Sequence, residues 1–188
     1  MDTRLKAKIV KSLLVTFSAL ILSAIVSASD TKISRQEVLH TFQQYIALNA
    51  DFVSSVESGK GKSGKSYKDL RKEAEAYAEG PFHDALSRAE EIVCETGDKE
   101  VLARLFRVII STSNSADESP ASTLGGIFVC QPAAVEKEIA RLNFEDRKQI
   151  YDSLEFGFEN VATTKPKDDK SITTLRKRIA AMKPSDTK

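Results

Sequence analysis

From Ser34 to Ile179, apolar residues recur at intervals of three and four, and no stretch alternates convincingly over the length of a strand. That spacing lays one apolar stripe along a helix. A succession of amphipathic helices with no strands among them can hide those stripes only helix against helix. The expected fold is therefore all-α: one compact domain of about seven or eight mostly antiparallel helices. The β-prone runs, 108–111 and 127–129, both sit inside helical periodicity.

Local signals place the helices. Ser34 and Glu37 form a capping box. The first helix is expected over 35–57, with Val38, Phe42, Tyr45, Ile46 and Phe52 recurring at helical spacing. Residues 58–66 are Gly, Lys and Ser only, a composition that predicts a flexible loop. A second helix is expected over 67–78. Gly80-Pro81 reads as a stop followed by a start, with a third helix over 81–95. Gly97 ends that helix and Asp98 caps the fourth, the most apolar of the set. A hydroxyl-rich loop spans 112–119. Ser119-Pro120 opens a fifth helix that ends near Cys130. Its Gly125-Gly126 pair implies a close helix approach or a break, because each Gly costs about 1 kcal/mol in a helix relative to Ala. Gln131-Pro132 opens the sixth helix, and Asn143 ends it and caps the seventh. After a linker over 163–170 comes a last helix with Ile172, Leu175 and Ile179 aligned.

The start of the chain has a different character. Arg4, Lys6, Lys8 and Lys11 precede an apolar run, 13–26, and a small-residue site at Val26-Ser27-Ala28. That order is a secretory signal, with cleavage expected after Ala28. The apolar run is short for a membrane span, which needs about 20 residues. An uncleaved anchor is the alternative. The organisation expected is a signal peptide over 1–28, a helical domain over 29–164, and a linker with a basic amphipathic helix over 165–188. The destination is the periplasm or the exterior.

Charge is unevenly spread over the part that remains. Residues 29–164 carry 16 basic and 23 acidic side chains, and residues 165–188 carry 8 and 3. An acidic body does not suit nucleic acid, which asks for a basic face on the folded part. The basic tail suits a solvated helix, or a weak contact with an anionic membrane surface. The two cysteines, Cys94 and Cys130, form an even set in an exported chain, which favours a disulfide over two free thiols.

One motif matches a known chemistry letter for letter. Gly59, Gly64, Lys65 and Ser66 complete G-x-x-x-x-G-K-S, the loop whose backbone amides cradle nucleotide phosphates. That mechanism needs a buried strand before the loop. Residues 51–58 read instead as a helix end, so the match is attributed to low complexity and no cofactor is expected. His40 and His83 lack partners at metal-ligand spacing, so no metal site is expected. Asp152, Glu155 and Glu159 share a helix face and read as a solvated acidic surface. No G-x-S-x-G occurs, and no catalytic residue stands out.

The remaining candidate is the loop between the fourth and fifth helices. Ser113, Asn114, Ser115, Asp117 and Glu118 offer hydrogen bonds and negative charge on a base that a Cys94–Cys130 bridge would pin. The plainer reading is a connection in which Asp117 or Ser119 caps the fifth helix. Phe156 lies off its helix's apolar stripe and either faces outward as a partner anchor or packs under a neighbour. The function expected is binding of another protein, of the inhibitor or immunity type. An acidic body favours a basic target. An envelope enzyme with an unrecognised hydrolytic site and a structural or membrane-surface envelope factor are the alternatives.

Overall fold

The computed structural model describes residues 32–113, 115–164 and 169–184. The signal-peptide expectation over 1–28 lies outside those residues, as does Asn114. Among the described residues the chain is helical and forms no named strand. In order, the α-helices are α1 (Arg35–Ser58), α2 (Tyr67–Tyr77), α3 (His83–Thr96), α4 (Lys99–Ser111), α5 (Ser119–Cys130), α6 (Pro132–Ile139), α7 (Phe144–Ala162) and α8 (Lys170–Met182).

The helix starts follow from local chemistry. The Ser34 hydroxyl accepts from the Glu37 amide at 3.2 Å, and the Glu37 carboxylate accepts from the Ser34 amide at 2.7 Å. Asp98 accepts from the amides of Glu100 and Val101, each at 3.0 Å, and opens α4. The same carboxylate accepts from the Arg35 guanidinium at 2.6 Å, which joins the starts of α1 and α4. The ion pair holds the Asp98 carboxyl below the usual carboxylate range. Asn143 caps α7 through the Asp146 amide at 3.0 Å.

Gly80-Pro81 does not break the chain as expected. A π-helical turn, Ala78–Phe82, carries α2 into α3 without a loop. Pro81 has no N–H to donate, and the wider turn accommodates the gap in the ladder. The extra residue also turns Phe82 into the core. There its ring stacks on Tyr45 at 3.7 Å between centroids and meets Phe42 edge-on at 5.9 Å.

α4 lies within the core and buries Val101, Leu102, Leu105, Phe106, Val108 and Ile109. α5 and α7 make the closest helix contact. Gly125 lies against the backbone of Gly157 and Phe158, and a Cβ there would stand 2.6 Å from the Phe158 amide nitrogen. Gly157 lies in turn against Ala121 and Ser122, its Cβ position 3.0 Å from the Ser122 nitrogen. Of the two outcomes expected at Gly125-Gly126, the close approach is the one observed, and α5 stays unbroken. Beside this contact Phe128 and Phe158 meet edge-to-face at 6.0 Å.

Cys94 and Cys130 form the disulfide, their Cα atoms 5.5 Å apart, and join the last turns of α3 and α5. α8 is no loose tail. It buries Ile172, Leu175 and Ile179, and Arg176 forms a forked pair with Glu159 at 2.8 Å through both nitrogens. Arg178 does the same with Glu136 at 2.7 Å. No helix among the described residues is long and apolar enough to cross a membrane.

Candidate functional site

The α4–α5 connection is built on a fixed base. The last carbonyls of α4 have no partner within their own helix. Side-chain amides from two other helices supply them: Asn49 of α1 donates to the Ser111 carbonyl at 3.0 Å. Gln149 of α7 donates to the Ile109 and Ile110 carbonyls at 3.0 and 3.2 Å. The Thr112 hydroxyl turns back to Val108 at 2.8 Å. Beyond it, the Ser115 amide donates to the Thr112 carbonyl at 2.8 Å, and the Ser115 hydroxyl accepts from the Asp117 amide at 3.1 Å.

Asp117 has two roles in this arrangement. One carboxylate oxygen accepts from the amide of Ser119, the first residue of α5, at 3.0 Å, although the N-cap position itself is Glu118, whose side chain makes no capping bond. The other accepts from the Tyr45 hydroxyl at 3.4 Å. Burial, reinforced by the Asp117 charge, pushes the Tyr45 phenol up to about 12, so it stays a donor.

Ser113, Ser115, Asp117, Glu118 and Phe156 all line one groove of about 340 Å³, although Phe156 comes from α7, some forty residues away in sequence. Ile109, Pro120 and Ala121 add apolar surface, and Asp152 adds a further carboxylate. Phe156 is 41% exposed, the outward orientation of the two expected. Three carboxylates and no basic side chain stand among the groove-lining residues. At a surface site such a charge set favours a cationic visitor.

The 115–118 segment also separates this groove from two other hollows, and Asp117 lines all three. One is bounded by Tyr45, Asn49 and Arg71. The other lies between α3 and α5, where Ser87, Glu90, Ser122 and Thr123 face it. Glu90 was not apparent in the sequence as a site residue. Burial alone pushes its carboxyl above the usual carboxylate range. A charged residue at a helix position otherwise reading as inward was the one signal that could have flagged it.

The Gly-Lys-Ser loop is ordered rather than free. Gly59 adopts a left-handed φ of 79° as the α1 terminator, and Lys60 and Ser66 pair as an isolated antiparallel bridge. The Ser63 amide donates to the Asp51 carboxylate at 3.2 Å, so a side chain of the same protein stands where an anion would sit. The Ser63 hydroxyl, followed by neighbouring amides and Lys65, holds the Asp51 carboxyl below its ordinary value. Lys65 pairs with Glu73, and Ser66 caps α2 through the Asp69 amide at 3.3 Å. A helix, not a strand, precedes the loop. A resident carboxylate repels phosphate, so the geometry works against nucleotide binding.

Comparison with family models, curated proteins and solved structures returned no match for this chain. Among the described residues no group of three or more His, Cys, Asp and Glu side chains is placed to hold a metal ion. His40 and His83 are both exposed. Glu159, one of three acidic residues expected to share a solvated face, is paired with Arg176, while Asp152 lies in the groove.

Proposed function

We propose that this chain is an exported helical binding protein whose partner is another protein, docked on the groove between the α4–α5 connection and Phe156. The observation that carries the reading is the convergence of Ser113, Ser115, Asp117, Glu118 and Phe156 on one concave surface. An exposed aromatic flanked by carboxylates is the combination that anchors a basic partner. The base of the connection is held by Asn49 and Gln149, so little conformational freedom is lost there when a partner binds. An inhibitor or immunity-type role fits a small exported binder facing a basic, enzyme-like target. The membrane-surface alternative is less favoured, because Arg176 and Arg178 are already paired with Glu159 and Glu136.

The test is affinity capture from an envelope extract with immobilised residues 29–188, run beside three variants. Asp117 is a poor choice for the test because it also holds the Ser119 amide and the Tyr45 hydroxyl. Glu118, Asp152 and Phe156 are exposed, and the Glu118 side chain makes no capping bond although its backbone occupies the N-cap of α5. The reading expects one dominant protein at near-equal stoichiometry, lost on Glu118→Lys, Asp152→Lys or Phe156→Ala with the helical signal intact. Capture of nothing, or of a protein that all three variants retain, overturns it.

A further inference from the structure

The second hollow, of about 550 Å³, runs between α3 and α5 and meets the docking groove at Asp117 and Glu118. The Cys94–Cys130 bridge ties the ends of these two helices, and one helical turn back along each helix Glu90, which lines the hollow, faces Gly126. The Glu90 carboxylate lies against Gly126 so closely that a Cβ at 126 would stand 2.6 Å from the carboxyl carbon.

Two choices here oppose stability. A glycine in the middle of α5 costs about 1 kcal/mol relative to Ala. Gly125 repays that by admitting the α7 backbone, whereas the atoms nearest the space over Gly126 are those of the Glu90 carboxylate. That carboxylate is half-buried, and among the described residues it has no hydrogen bond and no ion pair; desolvation alone acts on it. A partly buried carboxylate without a partner is unfavourable to the fold. The fold therefore makes room for an unpaired charge that gives it nothing in return. Four hydroxyl-bearing residues, Ser87, Ser119, Ser122 and Thr123, line the same cleft, with Leu86 as apolar wall.

We infer that the α3–α5 cleft is a seat for an arginine side chain of the protein partner, with the Glu90 carboxylate as its counter-ion. The inference rests on the protein-binding reading and adds to it what the partner presents. A guanidinium carries five N–H donors in a planar fork, whereas an ammonium carries three on one point. One carboxylate that can accept two of them, with four hydroxyl-bearing residues lining the same cleft, matches the larger donor set. The cleft is also roomier than a lone ammonium needs. Asp117 and Glu118 at its mouth add attraction on approach, and His83 is the other titratable group lining it. Docking on the acidic groove brings a partner's surface to that mouth, since both hollows share the 117–118 wall.

The test titrates N-acetyl-L-arginine methylamide, and separately its lysine counterpart, into isotope-labelled protein while the Glu90 carboxyl and Gly126 amide resonances are followed. The expected result is a saturable shift of both with the arginine probe and weaker binding of the lysine probe. Glu90→Gln and Gly126→Ala should each weaken the arginine probe by about tenfold, the equivalent of about 1.4 kcal/mol. Both variants remove a destabilising feature, so each should melt at or above the parent temperature, and lost binding cannot be assigned to misfolding. Absence of a saturable shift at Glu90 and Gly126 overturns the assignment. So does equal affinity for the lysine probe, or unchanged affinity in Glu90→Gln. The two readings separate cleanly. A partner lost on Phe156→Ala but held equally well by Glu90→Gln leaves the groove and removes the seat. Arginine binding at Glu90 with no partner captured supports the cleft chemistry and counts against the protein-binding reading.

Discussion

Two adjacent glycines in α5 should respond to alanine with opposite signs. By helix propensity alone, Gly125→Ala and Gly126→Ala would each stabilise α5 by about 1 kcal/mol. The surroundings decide the rest. At 125 the new Cβ meets the α7 backbone, 2.6 Å from the Phe158 nitrogen, where ordinary contact begins at 3.4 Å. Backbone cannot rotate aside, so α5 and α7 must separate by most of an ångström, and the Phe128–Phe158 contact beside them loosens. Overpacking of this kind costs about 1–3 kcal/mol, and a rigid obstacle puts it at the upper end. The net expectation for Gly125→Ala is a loss of about 2 kcal/mol, since the propensity gain offsets part of the strain. At 126 the obstacle is the end of the flexible Glu90 side chain, which can swing away, and a gain of about 0.5–1 kcal/mol remains. In a domain of this size 1 kcal/mol moves the melting temperature by about 2–4 °C. Calorimetry should therefore show Gly125→Ala lower by roughly 4–8 °C and Gly126→Ala higher by roughly 1–4 °C. Equal shifts of the same sign, or a Gly125→Ala protein as stable as the parent, would refute the argument from backbone contact.

Glu90 should leave a signature in the pH dependence. Its carboxyl sits above the usual carboxylate range in the folded protein, so the folded state binds that proton more tightly than the unfolded chain. The resulting stability is complete below the unfolded value and is lost as pH rises through the folded one. Urea denaturation should find Glu90→Gln more stable than the parent at neutral pH, with the gap closing under acid. Asp98 behaves in the opposite sense. Its carboxyl is held low by Arg35, so its contribution is present above the ordinary carboxylate value and fades as pH falls through the depressed one. Asp98→Ala, which also removes the α4 cap, should cost about 1–2 kcal/mol, and Asp98→Asn, which keeps a capping oxygen, distinctly less. Replacing both cysteines by Ala should lower unfolding free energy by about 3–4 kcal/mol, the value for a loop of this length, while retaining the helical circular dichroism spectrum.

Features set by neighbours in sequence were the legible ones. Ser34 with Glu37, Asp98 and Asn143 announce helix starts because a cap and its amide are three residues apart at most. Gly97 announces an end for the same reason, its φ of 67° being one that Gly adopts without strain. Gly80-Pro81 misled because these residues usually punctuate, and only the packing of Phe82 on Tyr45 and Phe42 explains why a π turn is retained instead. The partner of Gly125 was hidden for a different reason. Gly157 sits between Phe156 and Phe158 in a helical run, and nothing local says which distant helix it faces. The loop residues of the candidate site could be chosen from their polarity and position, and Phe156 from its place off the apolar stripe. Their meeting in one groove depends on how α4, α5 and α7 cross. Glu90 carries no such local signal, because a charged residue on a helix ordinarily points to water, and its burial comes from α5 leaning over it at a glycine.

The most direct test of the account places a photo-crosslinking phenylalanine analogue at position 156 in the cell that makes this protein. Val56, 61% exposed and outside all three hollows, is the control position. Docking at the groove predicts a single protein adduct from position 156 and none of it from position 56. No adduct from 156, or the same adduct in equal yield from both positions, would contradict docking at the groove.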